Sequence, residues 1–222
     1  MKQLTLTLFT IVLSLGLHGQ QLFFEGFSGY NRTAYNLSEY NSAQGYVPLG
    51  FRIAGGFERI QLGAEYRRQI TNPAFTFTNP TNGEDFRREE FVETYYGALL
   101  RANISSLPAY RFGLVLKAGA GFYNTTRQLY ALPEEIIISD ETFEYDRRLG
   151  FNAGIGVSAP IYTLLHWEIG YQFNFVDRDE QLTRAIPEYQ AYYHSFQMGL
   201  SLNLVFGNVA KKCRRVITSS RR

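Results

Sequence analysis

Residues 196–206 have the sequence FQMGLSLNLVF, in which every second side chain is apolar. One set consists of Phe196, Met198, Leu200, Leu202, Leu204 and Phe206, and the other of Gln197, Gly199, Ser201, Asn203 and Val205. A period of two indicates a β-strand with one apolar face and one mainly polar face. One such strand fits a soluble β-sandwich as well as a membrane β-barrel. The number of these segments, and the lengths of the connectors between them, distinguish the two folds.

The same alternation occurs in eight segments of the chain. We predict strands at about 21–30, 47–55, 58–69, 90–102, 110–123, 147–158, 162–176 and 196–206. Their connectors alternate between long and short, beginning with a long one at 31–46. Outer-membrane barrels have an even strand number, short turns at one end and long loops at the other, whereas a β-sandwich has no reason to sort its loops this way. The sequence therefore predicts an all-β fold, an eight-stranded antiparallel up-and-down transmembrane β-barrel.

Both ends of the chain differ from the strand region. Lys2, the apolar run at 4–17 and the small-residue ending that follows it predict a cleaved signal peptide over residues 1–20. Residues 207–222 hold six basic residues and no acidic residue, which predicts a basic, disordered periplasmic tail. The predicted barrel domain, residues 21–206, keeps 15 of the 22 basic residues and all 20 acidic ones. An acidic body of this kind argues against nucleic-acid binding.

The polar faces of the predicted strands carry charges, while the centres of the apolar faces carry almost none. We expect these inward charged residues to include Glu25, Arg52, Glu65, Lys117 and Glu168. The interior of an eight-stranded barrel is just wide enough for side chains, and an unpaired buried charge costs several kcal/mol. Because the signs alternate and inward Gly residues provide room, we predict an ion-pair network that fills the lumen and leaves no open pore.

The chain resembles the small eight-stranded outer-membrane barrels, such as the OmpA membrane domain and OmpX, and most closely the PorT-like outer-membrane barrels of Bacteroidota. The resemblance rests on the N-terminal signal, the Gly-rich stretch LKAGAG at 116–121 and the last strand. It implies that Leu202, Leu204 and Phe206 belong to the signal that the barrel-assembly machinery reads, although the chain continues beyond Phe206 to residue 222. Functions in this family range over anchoring, adhesion, secretion support and lipid enzymology, so the resemblance leaves the function open.

Two histidines remain beyond residue 20, and neither predicts a catalytic centre. His194 and Ser195 are adjacent, so strand alternation places them on opposite faces, whereas a nucleophilic Ser needs its base within hydrogen-bond reach. We interpret His194 as an interfacial residue beside Tyr192 and Tyr193, and His166 as a lumen residue. Because the sequence offers no set of metal ligands, we predict no catalytic residue, metal site or cofactor.

The connector at 128–146 is strongly acidic and contains an apolar run. One interpretation is a solvated acidic loop. The other is an interaction surface, either for divalent cations that bridge to lipopolysaccharide or for a protein partner that adds a strand. The residues of this candidate surface are Glu134, Glu135, Ile136, Ile137, Ile138, Asp140 and Glu141.

These observations predict a non-enzymatic integral protein of the bacterial outer membrane, with both termini in the periplasm. It would act as a structural anchor or as a partner-binding protein, including a secretion accessory, through its external loops or its tail. The expected partners are outer-membrane lipid or lipopolysaccharide, the barrel-assembly machinery during biogenesis, and a protein that the sequence does not identify. The alternatives are a small porin or transporter and a lipid A-modifying enzyme.

Overall fold

The computed structural model describes residues 21–35, 43–57, 59–73, 76–78, 86–104, 112–131, 136–137, 143–144, 146–162, 164–178 and 189–206. The predicted signal peptide at 1–20 and the predicted tail at 207–222 lie outside these residues. All the elements in the described ranges are β-strands. No helix in the same ranges is long and apolar enough to cross a membrane.

Eight long strands make up the fold, and we number them β1 to β8 in chain order. They are β1 (Gln21–Tyr35), β2 (Ala43–Gly56), β3 (Ile60–Pro73), β4 (Phe86–Asn103), β5 (Gly113–Ala131), β6 (Arg148–Pro160), β7 (Leu165–Arg178) and β8 (Tyr189–Val205). Three short strands pair with the ends of β4 and β5, namely Thr76–Thr78, Ile136–Ile137 and Phe143–Glu144.

The eight strands form a closed antiparallel ring. Each strand pairs with the next one in the chain, and β8 pairs with β1. Following the paired residues round the ring from Glu25 leads back to Tyr35 of the same strand, an offset of ten residues. Such an offset requires the strands to tilt by about 35–45° from the barrel axis. The predicted fold, an eight-stranded antiparallel up-and-down barrel, is confirmed.

The two faces of the sheet have opposite character. Side chains that point into the barrel are buried whether or not they are polar, for example Arg52, which is 2% exposed. Most side chains that point outward are apolar, and many of them are exposed, for example Phe51 at 50% and Phe196 at 61%. This distribution is the reverse of a soluble domain and is typical of a wall that faces hydrocarbon. The inward and outward sets agree with the alternation in the sequence.

One irregularity interrupts β2, between Tyr46 and Leu49, where β2 has one more residue than both of its neighbours. Pro48 lies within this bulge, where its missing backbone N–H removes no regular ladder hydrogen bond. The extra residue restores the alternation, so Tyr46 and Leu49 both face outward although they are three positions apart. At the other end of β2, Gly56 has a φ of 155°, a conformation that a side chain would disfavour, and it opens the short turn to β3.

The connectors give the barrel two different ends. Short connectors join β2 to β3, β4 to β5 and β6 to β7, and we call this end the short-turn end. The other four connectors define the long-loop end. Strand β1 starts and β8 finishes at the short-turn end, because the ring is antiparallel throughout.

The strands extend further towards the long-loop end than the sequence predicts. The predicted connector at 128–146 is wrong at its edges, because β5 continues to Ala131 and residues 136–137 and 143–144 are strands. Pairing between β4 and β5 persists as far as Arg87 and Ala131, whereas β5 and β6 separate after Tyr123 and Arg148. A sheet projection built on the β4–β5 hairpin therefore rises above the rim. Its ladder hydrogen bonds continue although the apolar alternation has ended.

Gly121 provides a test of how closely the lumen is packed. A Cβ atom at this inward position would lie 2.8 Å from the ring of Tyr95 and would collide with the backbone of Gly97. We expect Gly121→Val to lower the free energy of unfolding by at least about 1–3 kcal/mol, the usual effect of overpacking. The measurement is the midpoint of urea unfolding in detergent. The folded fraction at each urea concentration is read from the difference in gel mobility between folded and heat-denatured protein.

The matched control is Ala120→Val at the adjacent outward position, which should leave the midpoint within about 0.5 kcal/mol of the wild type. Equal midpoints for Gly121→Val and the wild type would contradict the packing described here.

Candidate functional site

Seven charged side chains inside the barrel form a continuous series of ion pairs with alternating sign. In spatial order, this charge chain consists of Arg67, Glu65, Arg52, Glu25, Lys117, Glu168 and Arg101. The nitrogen–oxygen distances are 3.0 Å for Arg67–Glu65, 2.9 Å for Arg52–Glu65, 2.8 Å for Arg52–Glu25, 3.4 Å for Lys117–Glu25 and 3.2 Å for Arg101–Glu168. Lys117 also pairs with Glu168. Each carboxylate therefore contacts two cations.

The charge chain crosses the lumen. Its members come from six of the eight strands, and Lys117 on β5 reaches Glu25 on β1. The guanidinium of Arg52, on β2, donates to Oε1 of Gln172 on β7 at 2.8 Å and to Oε1 of Gln197 on β8 at 2.5 Å. Side chains from opposite walls thus meet at the barrel axis, where they fill the cross-section.

Aromatic rings line the guanidinium groups where carboxylates do not. The Arg52 Cζ atom lies 3.8 Å from the ring centroid of Phe27, and the Arg101 Cζ atom lies 4.2 Å from that of Phe23. A desolvated cation over a ring face gains roughly 2 kcal/mol. Phe27 in turn lies flat against Gly50, where a Cβ atom would overlap its ring. This Gly therefore makes room for the stack of Arg52 on Phe27.

A second polar cluster lies towards the long-loop end and centres on Glu93. Its carboxylate accepts hydrogen bonds from Thr125 Oγ1 at 3.1 Å, from Gln69 Nε2 and from the hydroxyl of Tyr193. Tyr123 stacks on Tyr193 with 6.4 Å between ring centroids. The Tyr123 hydroxyl also accepts from Arg67 at 3.1 Å, which joins this cluster to the charge chain.

His166 lies near the short-turn end of the lumen and is fully buried. Its Nδ1 atom is 3.5 Å from the hydroxyl of Ser158. Ser201 is paired with it across β7 and β8 and also points inward. The described residues contain no group of three or more His, Cys, Asp or Glu side chains that could hold a metal ion. His166 therefore contributes to the packed polar interior.

The structure brings together all five residues that the sequence singled out for the lumen, Glu25, Arg52, Glu65, Lys117 and Glu168. Arg67 and Arg101 extend the series at its two ends and were not in that set. Their position on the inward face was readable from the period of two. Their proximity to the central carboxylates depends on strand tilt, which the alternation does not reveal.

Other candidate residues are dispersed. His194 faces outward, where its Nδ1 atom is 2.6 Å from the Tyr171 hydroxyl, and Ser195 is buried inside the barrel. The predicted separation of His194 and Ser195 onto opposite faces is therefore present. Grouping Tyr193 with Tyr192 at the outer surface was wrong, because Tyr193 is fully buried in the lumen and its hydroxyl contacts Glu93.

The last strand is described as far as Phe206, whereas the acidic connector is described only in part. Leu202 and Leu204 face outward on β8, which ends at Val205, one residue before Phe206. Ile136 and Ile137 form a short strand that pairs with Tyr130 and Ala131 at the end of β5. The remaining residues of the candidate surface, Glu134, Glu135, Ile138, Asp140 and Glu141, lie outside the described residues.

Comparison with solved structures supports the fold. The barrel is similar to Neisserial surface protein A, with a TM-score of 0.55 and 11% sequence identity over 82% of this chain and 96% of that protein. It is also similar to Ail, the attachment invasion locus protein of Yersinia pestis (TM-score 0.45, 11% identity, 82% and 97% coverage). A third similar structure is the outer membrane protein OprG from Pseudomonas aeruginosa (TM-score 0.47, 9% identity, 86% and 99% coverage). No protein-family model and no curated protein matches the chain.

Since the identities are low, the comparison establishes a shared architecture. The TM-score of 0.55 with Neisserial surface protein A is consistent with the closed eight-stranded fold of this chain.

Because the charge chain begins and ends with a cation, removing an internal cation and removing an internal anion have different effects on the remaining charges. Removing Lys117 leaves Glu25 with Arg52 and Glu168 with Arg101, so both fragments stay balanced. Removing Glu25 instead leaves two fragments that each carry one excess positive charge. We therefore expect Glu25→Gln to lower the free energy of unfolding by about 3–5 kcal/mol, the usual effect of breaking a buried pair. Lys117→Ala should lower it by a smaller amount.

Urea midpoints in the same detergent, compared side by side, would check this order. Gln197→Ala serves as a control for the loss of packing and hydrogen bonding, since it removes the bonds to Arg52 and Gln172 without changing the charge. An unchanged midpoint for Lys117→Ala, or a larger loss for Lys117→Ala than for Glu25→Gln, would contradict the ion-pair geometry.

Proposed function

We propose that the protein is a non-enzymatic integral barrel of the bacterial outer membrane, and that its lumen is a plug of paired side chains. The observation that carries the proposal is the charge chain, which crosses the barrel at the level where a channel would need to be open. Such a barrel anchors its loops and its tail at the membrane. Its function then lies in what these segments bind.

The outer wall supports the membrane location. Exposed apolar side chains surround the barrel between its two ends, for example Leu62 at 50%, Ile155 at 47% and Leu200 at 55%. A closed ring also leaves no unpaired strand edge, which the hydrocarbon region requires. The architecture shared with Neisserial surface protein A is consistent with this location. We further propose that the long-loop end faces outward, which places both termini in the periplasm.

The plugged lumen predicts that the protein does not conduct ions across a bilayer. Purified protein, reconstituted into a planar bilayer at neutral pH, should give no stable single-channel steps, because the buried, paired side chains of Arg52 and Lys117 cross the lumen. A large porin inserted under the same conditions is the positive control. Discrete, reproducible steps from the wild-type protein would overturn the plug and would favour the alternative function as a small porin or transporter.

The partner-binding part of the proposal predicts a larger native complex. The tagged protein, extracted from its own outer membrane in mild detergent, should migrate with a stoichiometric protein partner. Replacing Glu134, Glu135, Asp140 and Glu141 with Ser, or removing residues 207–222, should release that partner if the corresponding segment holds it. The neutral control is Arg59→Gln in the short turn between β2 and β3. A lone barrel in the extract would argue against a protein partner and would leave the anchoring role.

A further inference from the structure

The outer wall carries an arrangement of charge that the filled lumen does not explain. Among the outward-facing side chains of β1–β8 that the structure describes, the charged ones are Arg32 on β1 and Arg68 on β3. Both are exposed, and neither is joined by a hydrogen bond or an ion pair to another described residue. Both lie near the long-loop end of their strands. Two exposed cations without a described partner, at one edge of an apolar wall, are available to bind an anion.

The strand register places these two arginines around one aromatic residue. Tyr46 on β2 pairs with Tyr30 on one side and with Ile70 on the other. Arg32 follows Tyr30 by two positions and Arg68 precedes Ile70 by two, so both are diagonal neighbours of Tyr46 on the outer face. Diagonal neighbours are about 7–8 Å apart, a distance that an Arg side chain spans. Both guanidinium groups can therefore converge above the Tyr46 ring.

Aromatic residues complete this part of the wall. Tyr30 and Tyr46 are each 47% exposed, and Tyr66, two positions before Arg68, is 42% exposed. Their rings belong at the boundary between hydrocarbon and headgroups, and their hydroxyl groups can donate hydrogen bonds. His194 lies opposite Arg32 across β8, with its Nδ1 atom at the Tyr171 hydroxyl. The neighbours of the two arginines that the structure describes thus supply rings and donors, and they supply no carboxylate.

The bulge in β2 helps to form this surface. The extra residue between Tyr46 and Leu49 turns Tyr46 outward, at a level between Arg32 on the long-loop side and Arg68 on the short-turn side. Without the bulge, alternation from Leu49 would place Tyr46 on the lumen face. The irregularity therefore coincides with the place where Arg32 and Arg68 flank the ring of Tyr46.

We propose that Arg32 and Arg68, with Tyr46 between them, bind a phosphate group of a glycolipid of the lipid A type in the outer leaflet. A guanidinium donates two parallel hydrogen bonds to phosphate oxygens, and two such groups can hold one phosphate from both sides. The acyl chains of the lipid would cover the apolar wall below, at Phe51 and Leu62. The assignment rests on the proposed outward orientation of the long-loop end.

The test is the affinity of the purified full chain for lipid A in detergent micelles, measured by native mass spectrometry. Basic residues near a membrane surface contribute about 1 kcal/mol each, or about five-fold in affinity. We expect Arg32→Gln and Arg68→Gln each to weaken binding about five-fold, and the double variant to weaken it about 25-fold. Arg59→Gln, which removes an exposed Arg at the short-turn end, should change affinity less than two-fold.

Two further arms identify the ligand. Lipid A from which the phosphates have been removed should bind the wild type and the double variant equally weakly. Inorganic phosphate should compete only at concentrations far above that of the lipid. Equal lipid A affinity for the wild type and the double variant would overturn the site, and displacement by dilute inorganic phosphate would overturn the lipid assignment. If the double variant did not fold, the single variants would decide.

The outcome is separable from the proposed function. Arg32 and Arg68 lie outside the lumen, so the double variant should match the wild type in the planar-bilayer measurement. Channel steps from the wild type would overturn the plug without affecting the lipid result. Equal lipid A affinity for the wild type and the double variant would overturn the lipid site without affecting the plugged lumen.

Discussion

The structure depends on the closure of one hydrogen-bonded sheet upon itself. Pairing of β8 with β1 gives every strand two neighbours, so that no edge with unpaired N–H and C=O groups remains along the barrel. In a hydrocarbon environment each unpaired backbone group costs several kcal/mol, and closure is therefore a condition for the fold rather than a refinement of it. The apolar outer wall and the polar interior both follow, because a closed ring with alternating side chains must have an inside and an outside.

Closure also buries charged side chains in a narrow interior, where each of them needs a partner. An eight-stranded ring has an interior just wide enough for side chains, with no space for bulk water around them. Charged residues there must be paired, and the charge chain achieves this by letting each carboxylate serve two cations. Inward Gly residues such as Gly50 and Gly121 have no side chain, and aromatic neighbours occupy the space that a Cβ atom would need. The interior is therefore packed by very large side chains that lie against very small ones.

The sequence was informative where local chemistry decides the structure. A period of two assigns each residue to a face without knowledge of its partners, and so Glu65 and Lys117 could be placed inside and Phe51 outside. Strand ends at the long-loop end were missed, because the β4–β5 hairpin keeps its ladder hydrogen bonds in polar segments where alternation is lost. The pairs within the lumen could not be derived either. Contacts such as Lys117 with Glu25 depend on the tilt and the offset of the ring.

The ten-residue offset of the ring has a consequence for assembly. Sliding β8 along β1 by two residues would keep every apolar side chain outside and every polar one inside, so the outer wall alone accepts several closures. The lumen does not accept them, because a slip would separate Arg52 on β2 from Gln197 on β8. The lumen contacts therefore favour one strand register over the others. Lipid contact selects which face points outward, and the arrangement of charges selects which of the closed rings is the native one.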